Sequence, residues 1–279
     1  MKVSKRFIDR ARPAVRRYQK ILDSAKRRDV NESDTSVIVN DMLTDVLGYD
    51  KYSDITTEFA VRSTFCDLAI KCDGRLQYLI EVKPVGSDLK ELYLRQAIEY
   101  GAREGIEWVI LTNGIAWQAH RIRFEQPVTH DLVFEVNLLD ENAKTNEMLE
   151  KFYLISREAG TCTALEHYWQ RQEATSRYVI AQLLLEDKTL TALRRNLRSL
   201  FKGLNISTAD IHDVLETEVI KRDALEGDRA ESAAKSMRRA SRKRARNSEE
   251  KVVPIKTAST HAAMTNASEQ PALTAPPNR

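Results

Sequence analysis

Apolar positions recur at helical spacing over residues 3–29, where Val3, Phe7, Ile8, Val15, Tyr18, Ile21 and Leu22 stand among arginines and lysines. Residues three and four apart share a helix face, so the segment reads as a basic amphipathic helix. Proline removes a helical hydrogen bond, so a helix pair interrupted near Pro13 is equally compatible. A second helix is expected over 33–46, with Val37, Ile38, Met42, Leu43 and Val46 as its stripe. An Asp or Ser at 33–36 is its expected N-cap, and Gly48 its terminator.

The period then shortens to two. Residues 55–61, 66–71 and 76–82 read as strands, the last two joined by the turn Cys72-Asp73-Gly74-Arg75. A helix over 87–104, a strand at 108–112, the Asn113-Gly114 turn, and strands at 116–123 and 132–137 follow. Helix, meander, helix, hairpin is the order of an α/β domain with a mixed central sheet flanked by helices. From 143 to 225 the pattern is wholly helical, with residues 165–185 reading as one helix. Past Phe201 no aromatic residue occurs, and from 227 the chain is charged and then Ala/Thr/Pro-rich, too poor in apolar surface to order itself. The expected organisation is a basic N-terminal helical segment (1–30), an α/β domain (31–140), a helical subdomain (141–226) suited to self-association or a partner protein, and a disordered tail (227–279).

Composition adds little to this picture until distribution is considered. The 279 residues carry 44 basic and 41 acidic side chains, a net charge of +3, which identifies no polyanionic partner. The basic residues crowd the first 28 positions and recur from Lys235 to Arg246. Both clusters can be read as phosphate contacts or as solvated helix faces. Cys66, Cys72 and Cys162 lack the spacing of a zinc site and are odd in number, which suits a reducing cytoplasm. No apolar run nears the roughly 20 residues that span a bilayer, and the first 20 residues have no secretory hydrophobic core. A cytoplasmic protein without membrane contact is expected.

Candidate chemistry lies in the meander. Phe65-Cys66-Asp67-Leu68-Ala69-Ile70 precedes a turn and then Tyr78-Leu79-Ile80-Glu81-Val82-Lys83. Glu81 and Lys83, two apart on a strand, point to one face while Val82 turns to the core and leaves its carbonyl as a further oxygen ligand. Antiparallel return brings the chain back to the level of Asp67. Two acids and a lysine at apolar strand ends are costly unless they pair or bind something. Metal-dependent phosphodiester hydrolysis needs this set: oxygen ligands, an oriented water and a nearby cation.

Asp67, thirteen intervening residues and Glu81-Val82-Lys83 resemble the D…ExK signature of PD-(D/E)xK nucleases, with Cys66 where the family has proline. Gln96-Ala97-Ile98-Glu99-Tyr100 resembles the QxxxY motif of the RecB-like branch and of the type I restriction enzyme R-subunit nuclease domain. Asn31-Glu32-Ser33-Asp34-Thr35, then Leu47-Gly48-Tyr49, resembles the opening of that domain, and Trp108 to Gly114 its close. The similarity spans about residues 30–125. It implies a restriction-endonuclease-like core in which Asp67, Glu81 and the Val82 carbonyl coordinate Mg²⁺, with Mn²⁺ as a substitute. Lys83 would orient or deprotonate water, with Gln96 and Tyr100 flanking the site.

Glu58 and Glu32 are candidates for a further carboxylate, ahead of Asp34. Arg95, Arg103, Arg121 and Arg123 are candidate nucleic-acid contacts, since guanidinium forks suit phosphate. The translocase of the R subunits would need a GxxxxGK[ST] loop, and the sequence has none, so no ATP site is expected. The expectation is a Mg²⁺-dependent DNA endonuclease, with a non-catalytic nucleic-acid-binding or assembly module of the same fold as the alternative.

Overall fold

In this computed structural model the described residues are 3–61, 64–124, 126–140, 142, 144–160 and 163–250, with the backbone alone described at 60, 61, 64, 65, 96 and 240–250. The chain divides into two compact units, Met1–Ser176 and Arg177–Arg279. No helix among the described residues is long and apolar enough to cross a membrane.

The first unit is α/β. Its sheet has six strands in sequence order: β1 (Ile55–Val61), β2 (Thr64–Cys72), β3 (Arg75–Val82), β4 (Trp108–Thr112), β5 (Ala116–Arg123) and β6 (Thr129–Asn137). Every neighbouring pair is antiparallel except β3 and β4, which run parallel, so the sheet is mixed as expected. The parallel pair needs a crossover, supplied by helix α3 (Leu94–Glu104). All five residues of β4 are buried, the pattern of a central strand covered on both faces.

On one face lie α1 (Lys5–Arg27), α2 (Glu32–Asp45), α4 (Thr145–Leu154) and α5 (Thr163–Ala174), packed on Leu68, Ile70, Ile80, Val82, Ile110 and Trp117. On the other, α3 covers Ala69, Leu79, Val109, Leu111 and Ile122. Alternation along β3 therefore sends Ile80 and Val82 into the larger core, and Leu79 and Glu81 toward the α3 side.

Several expectations are corrected. The first helix is continuous through Pro13, which faces solvent, while Phe7, Ala11, Val15, Tyr18 and Leu22 are buried beneath it. It is therefore a scaffold helix, not a separate segment. The second helix is capped by Asn31, whose side chain accepts from the Asp34 N–H at 2.8 Å, and not by a residue at 33–36. The helix expected from 87 begins only at Leu94, after a 3₁₀ turn at Glu91–Tyr93. Helices α4 and α5 belong to the first unit, with Met148, Leu149, Phe152 and Leu165 in its core, so the separate helical segment does not begin at 141.

The second unit holds α6 (Arg177–Leu184), α7 (Asp187–Leu200), α8 (Thr208–Val214), a π-helical turn at Leu215–Val219, and α9 (Asp228–Glu250). The single helix expected over 165–185 is broken at Thr175-Ser176, where the Thr175 hydroxyl donates to the Arg171 carbonyl at 2.8 Å and competes with the helical ladder. Residues 228–250, expected to lack structure, form α9, with Ala230 and Ala233 buried. Cys162 and residues 251–279 lie outside the described residues.

Candidate active site

Three pieces of chain meet at the C-terminal end of β3. The β2–β3 ladder pairs Ala69 with Leu79 and Leu68 with Ile80. Continued by one residue, that register sets Asp67 opposite Glu81. There the Asp67 side chain takes over from the ladder: its Oδ2 accepts the Val82 N–H at 2.7 Å. Val82 is fully buried and fixes the strand end, while Lys83, the next residue, still donates its N–H to the Thr112 carbonyl at 2.8 Å.

The third piece is the start of α2. Thr35 is fully buried; its hydroxyl donates to the Asn31 carbonyl at 2.7 Å and accepts the Val85 N–H at 3.1 Å. This stitch between the helix start and the chain just after β3 brings Glu32 over Lys83. The Lys83 Nζ lies 2.9 Å from Glu81 Oε1 and 3.3 Å from Glu32 Oε2. The ring of Tyr93, on the turn before α3, approaches the same ammonium, 5.5 Å from Nζ to ring centroid.

Electrostatics follow from the count: three carboxylates surround one ammonium. Burial pushes the Glu81 carboxyl above its ordinary value, and Asp67 pushes it further. Asp67 is raised by burial against the opposing pull of the Val82 N–H and Lys83. Burial works against the charge on Lys83, but Glu81, Glu32 and Asp67 outweigh it and its pKa stands above the ordinary value. Cys66 is no thiolate: burial lifts it to about 12, and its thiol faces the Ile80 carbonyl at 3.3 Å.

Asp67, Glu81 and Glu32 offer oxygen donors that could hold a hard divalent cation, whose charge would offset the repulsion between the strand acids. Among the described residues no three His, Cys, Asp or Glu side chains are already grouped to hold a metal ion. In the geometry described, Lys83 is the counter-charge.

The other candidates are placed as follows. Glu58 is exposed with φ +47°, set across from Asp67 between the pairs Thr57–Leu68 and Phe59–Cys66. Asp34 is exposed at the start of α2. Gln96 lies on α3, its side chain outside the described residues. Tyr100 faces inward against the Phe59 ring at 6.1 Å, in the apolar layer under α3, and makes no contact with Lys83. Arg121 and Arg123 are committed internally. Arg121 pairs with Glu107 at 3.0 Å and Glu166 at 3.3 Å and stacks 3.6 Å above Trp169, while Arg123 pairs with Asp131 and Glu173. Both hold α5 to the sheet and are not free for phosphate. Arg95 and Arg103 are exposed on the outer face of α3.

The remaining motif residues are structural. Gly48, at φ +78°, lies against the Arg10 guanidinium where a Cβ would meet its carbon at 2.6 Å, and the Tyr49 hydroxyl donates to the Ile155 carbonyl. Asn113 accepts the N–H groups of Ile115 and Ala116 and donates to the Ser87 carbonyl, tying the turn after β4 to the chain after β3. Two roles go beyond the motifs: Thr35, part of the opening motif, ties Glu32 to the chain after β3, and Tyr93 sets its ring beside Lys83. Thr35 had a signal, a hydroxyl one turn into a capped helix; Tyr93 had none, because only the tertiary fold brings it to Lys83.

Comparisons of the chain with protein-family models, with curated proteins and with solved structures gave no match.

Proposed function

We propose that this chain is a Mg²⁺-dependent DNA endonuclease of the PD-(D/E)xK kind, a cytoplasmic counterpart of the type I R-subunit nuclease module, acting in restriction or phage defence. The observation that supports it most is the meeting of Asp67, Glu81, Lys83 and Glu32 at one strand end, from segments as far apart in sequence as residues 32 and 83. Asp67, Glu81 and the Val82 carbonyl would hold the cation, with Glu32 as the reserve carboxylate. When bound, it supplies charge neutralisation at the scissile phosphate and a lowered pKa for water.

The residues of the chain supply the rest. Lys83, held between Glu81 and Glu32, would set its ammonium toward the charge that develops on the phosphate and position the attacking water. The Val82 N–H holds Asp67 in one rotamer. Thr35 fixes Glu32 over the site without touching substrate.

The test is incubation of supercoiled plasmid with Mg²⁺, Mn²⁺ or EDTA, without ATP. Nicking or linearisation is expected with metal and lost in Asp67→Ala, Glu81→Ala and Lys83→Ala, each confirmed folded by circular dichroism. Full cleavage by the Glu81 and Lys83 variants refutes it. The two ion pairs that occupy Lys83 also support a non-catalytic nucleic-acid-binding module of the same fold. That reading expects DNA binding that weakens with salt and no turnover with either metal.

A further inference from the structure

Helix α3 covers only part of its face of the sheet, and beside it, toward the start of β6, runs a groove of about 1010 Å³. Its head is the 3₁₀ turn of Glu91 and Leu92, next to Tyr93, whose ring faces Lys83. Its length is the outer face of α3, and its far wall is Val128 to His130. The head of the groove is thus one residue along the chain from the Tyr93 ring that faces Lys83, and from there it follows the 11 residues of α3, about 16 Å at the rise of a helix.

Two features of this groove stand apart from the rest of the unit. The first is charge left unmatched: Arg95 and Arg103, two helical turns apart on the same wall, hold no ion pair among the described residues, whereas Arg121 and Arg123 are each bound by two carboxylates. The second is exposed apolar surface before and opposite them, with Leu92 at 63% and Val128 at 44% exposure. Glu91 and Glu99 also line the groove, Glu91 within 3.5 Å of His130, so it is not a strongly basic channel. A duplex keeps its base faces stacked inside and offers such a surface its backbone and base edges, so no base face would cover the apolar wall. A single strand presents phosphates to the two guanidinium groups and its base faces to Leu92, Ile98 and Val128.

We propose that the groove between α3 and the start of β6 binds a single DNA strand, with Arg95 and Arg103 on two of its phosphates and the Leu92–Val128 walls against its bases, leading the strand to the Lys83 site. This deepens the nuclease reading by naming the form of its substrate, and it rests on that reading only for the direction of the strand.

The experiment uses the full chain in EDTA, so that binding is read without cleavage. Fluorescence anisotropy of a labelled 15-nucleotide single strand, and of the same sequence as a duplex, is followed against salt for wild type, Arg95→Gln/Arg103→Gln, Leu92→Ser/Val128→Ser, and the control Arg16→Gln/Lys20→Gln on α1. Each neutralised phosphate contact contributes roughly 0.7 to the slope of log affinity against log salt for single strands, so the arginine pair should flatten the slope by about 1.4 and weaken binding about tenfold or more at low salt. The apolar pair should weaken binding without changing the slope, and the control should change neither. Three results overturn the proposal: no single-strand binding by wild type, an arginine pair that behaves as the control does, or duplex bound as tightly as single strand through the same arginines. Plasmid cleavage is scored separately. Cleavage by wild type together with an arginine pair that binds normally rejects the groove and leaves the nuclease reading standing, whereas groove-dependent binding without cleavage under either metal does the reverse.

Discussion

Replacing Lys83 by methionine keeps the stem of the side chain and deletes its charge. Glu81 and Lys83 are 12% and 14% exposed at their side chains, so the pair is largely out of water, and a third carboxylate, Glu32, leans on the same ammonium. Removing one partner of a buried pair costs about 3–5 kcal/mol, because the other charge stays behind without compensation. The lower figure applies here, since Glu32 is half exposed and Glu81 can take up a proton. A loss of about 3 kcal/mol in a unit of this size lowers Tm by roughly 6–12 °C near neutral pH. The pH dependence has a definite sign. The carboxyls of Glu81 and Asp67 already lie above their ordinary values of 4.5 and 3.8, by burial first, and loss of the ammonium raises them further. A raised carboxyl pKa contributes stability that is present below the unfolded-state value and lost as pH rises through the folded-state value. The deficit of Lys83→Met relative to wild type should therefore be largest at about pH 8 and shrink toward about pH 5. Thermal unfolding by circular dichroism across that range, in EDTA, reads it directly. An unchanged Tm, or a deficit that grows on acidification, refutes the arrangement of one ammonium among three acids.

Other predictions concern the frame around the site. Arg121→Ala removes the Glu166 ion pair and the Trp169 stack that hold α5 to the sheet, together with the Glu107 pair beside β4, and should cost about 2–3 kcal/mol with a shift in tryptophan emission as that ring meets water; unchanged emission and Tm would contradict it. His120 is buried beside the His130 ring, and burial, reinforced by His130, lowers its pKa from 6.5 to about 4. Unfolding then takes up a proton between those values, so the fold should lose up to roughly 3 kcal/mol on acidification through that window, and His120→Gln should lose less, as measured by urea midpoints at the two ends. Gly114 has φ +81°, and a Cβ there would lie 2.8 Å from Leu22 Cδ2. Gly114→Ala should therefore destabilise by about 1–3 kcal/mol in chemical denaturation, an estimate that a neutral result would overturn.

The sheet was legible because its signals are local. Period-two alternation and the Asp73-Gly74 and Asn113-Gly114 turns mark strand ends within a few residues, and Val82 between Glu81 and Lys83 announces its own orientation. What escaped the sequence was decided by competition between local rules and tertiary packing. Pro13 breaks a helix in isolation, but here its ring faces water and the stripe from Phe7 to Leu22 is buried, and burial of that stripe outweighs about 3 kcal/mol of helix penalty. Helix α9 was missed for the opposite reason: low hydrophobicity was read as disorder, although its alanines, arginines and lysines are strong helix formers and Glu231 pairs with Lys235 one turn on. Arg121 and Arg123 looked like phosphate ligands because a sequence does not show that Glu166 and Glu173, more than forty residues later, return to meet them.

The same reasoning explains why the acids and the lysine sit where they do. A β-ladder satisfies backbone groups along its length, but its last rung leaves a donor that must find a partner. At the end of β3 that donor is the Val82 N–H, and a carboxylate, Asp67, accepts it in place of a carbonyl. The substitution places a charge at the end of the β2–β3 ladder at the cost of burying it, and Glu81, opposite it, adds to that cost. Lys83 and the Thr35 stitch that carries Glu32 to it then set how the cluster is balanced: one ammonium held by two acids at 2.9 and 3.3 Å, with a third acid nearby. A fold selected only for stability would lower this surplus by making Asp67 a neutral acceptor such as asparagine, which could still accept the Val82 N–H. Asp67→Asn in EDTA should accordingly leave the fold as stable as wild type or stabilise it by up to about 1 kcal/mol at neutral pH, since it relieves repulsion without losing the hydrogen bond. Chemical denaturation measures this, and a loss beyond about 2 kcal/mol would mean that the Asp67 charge serves the fold itself and is not held there for a ligand.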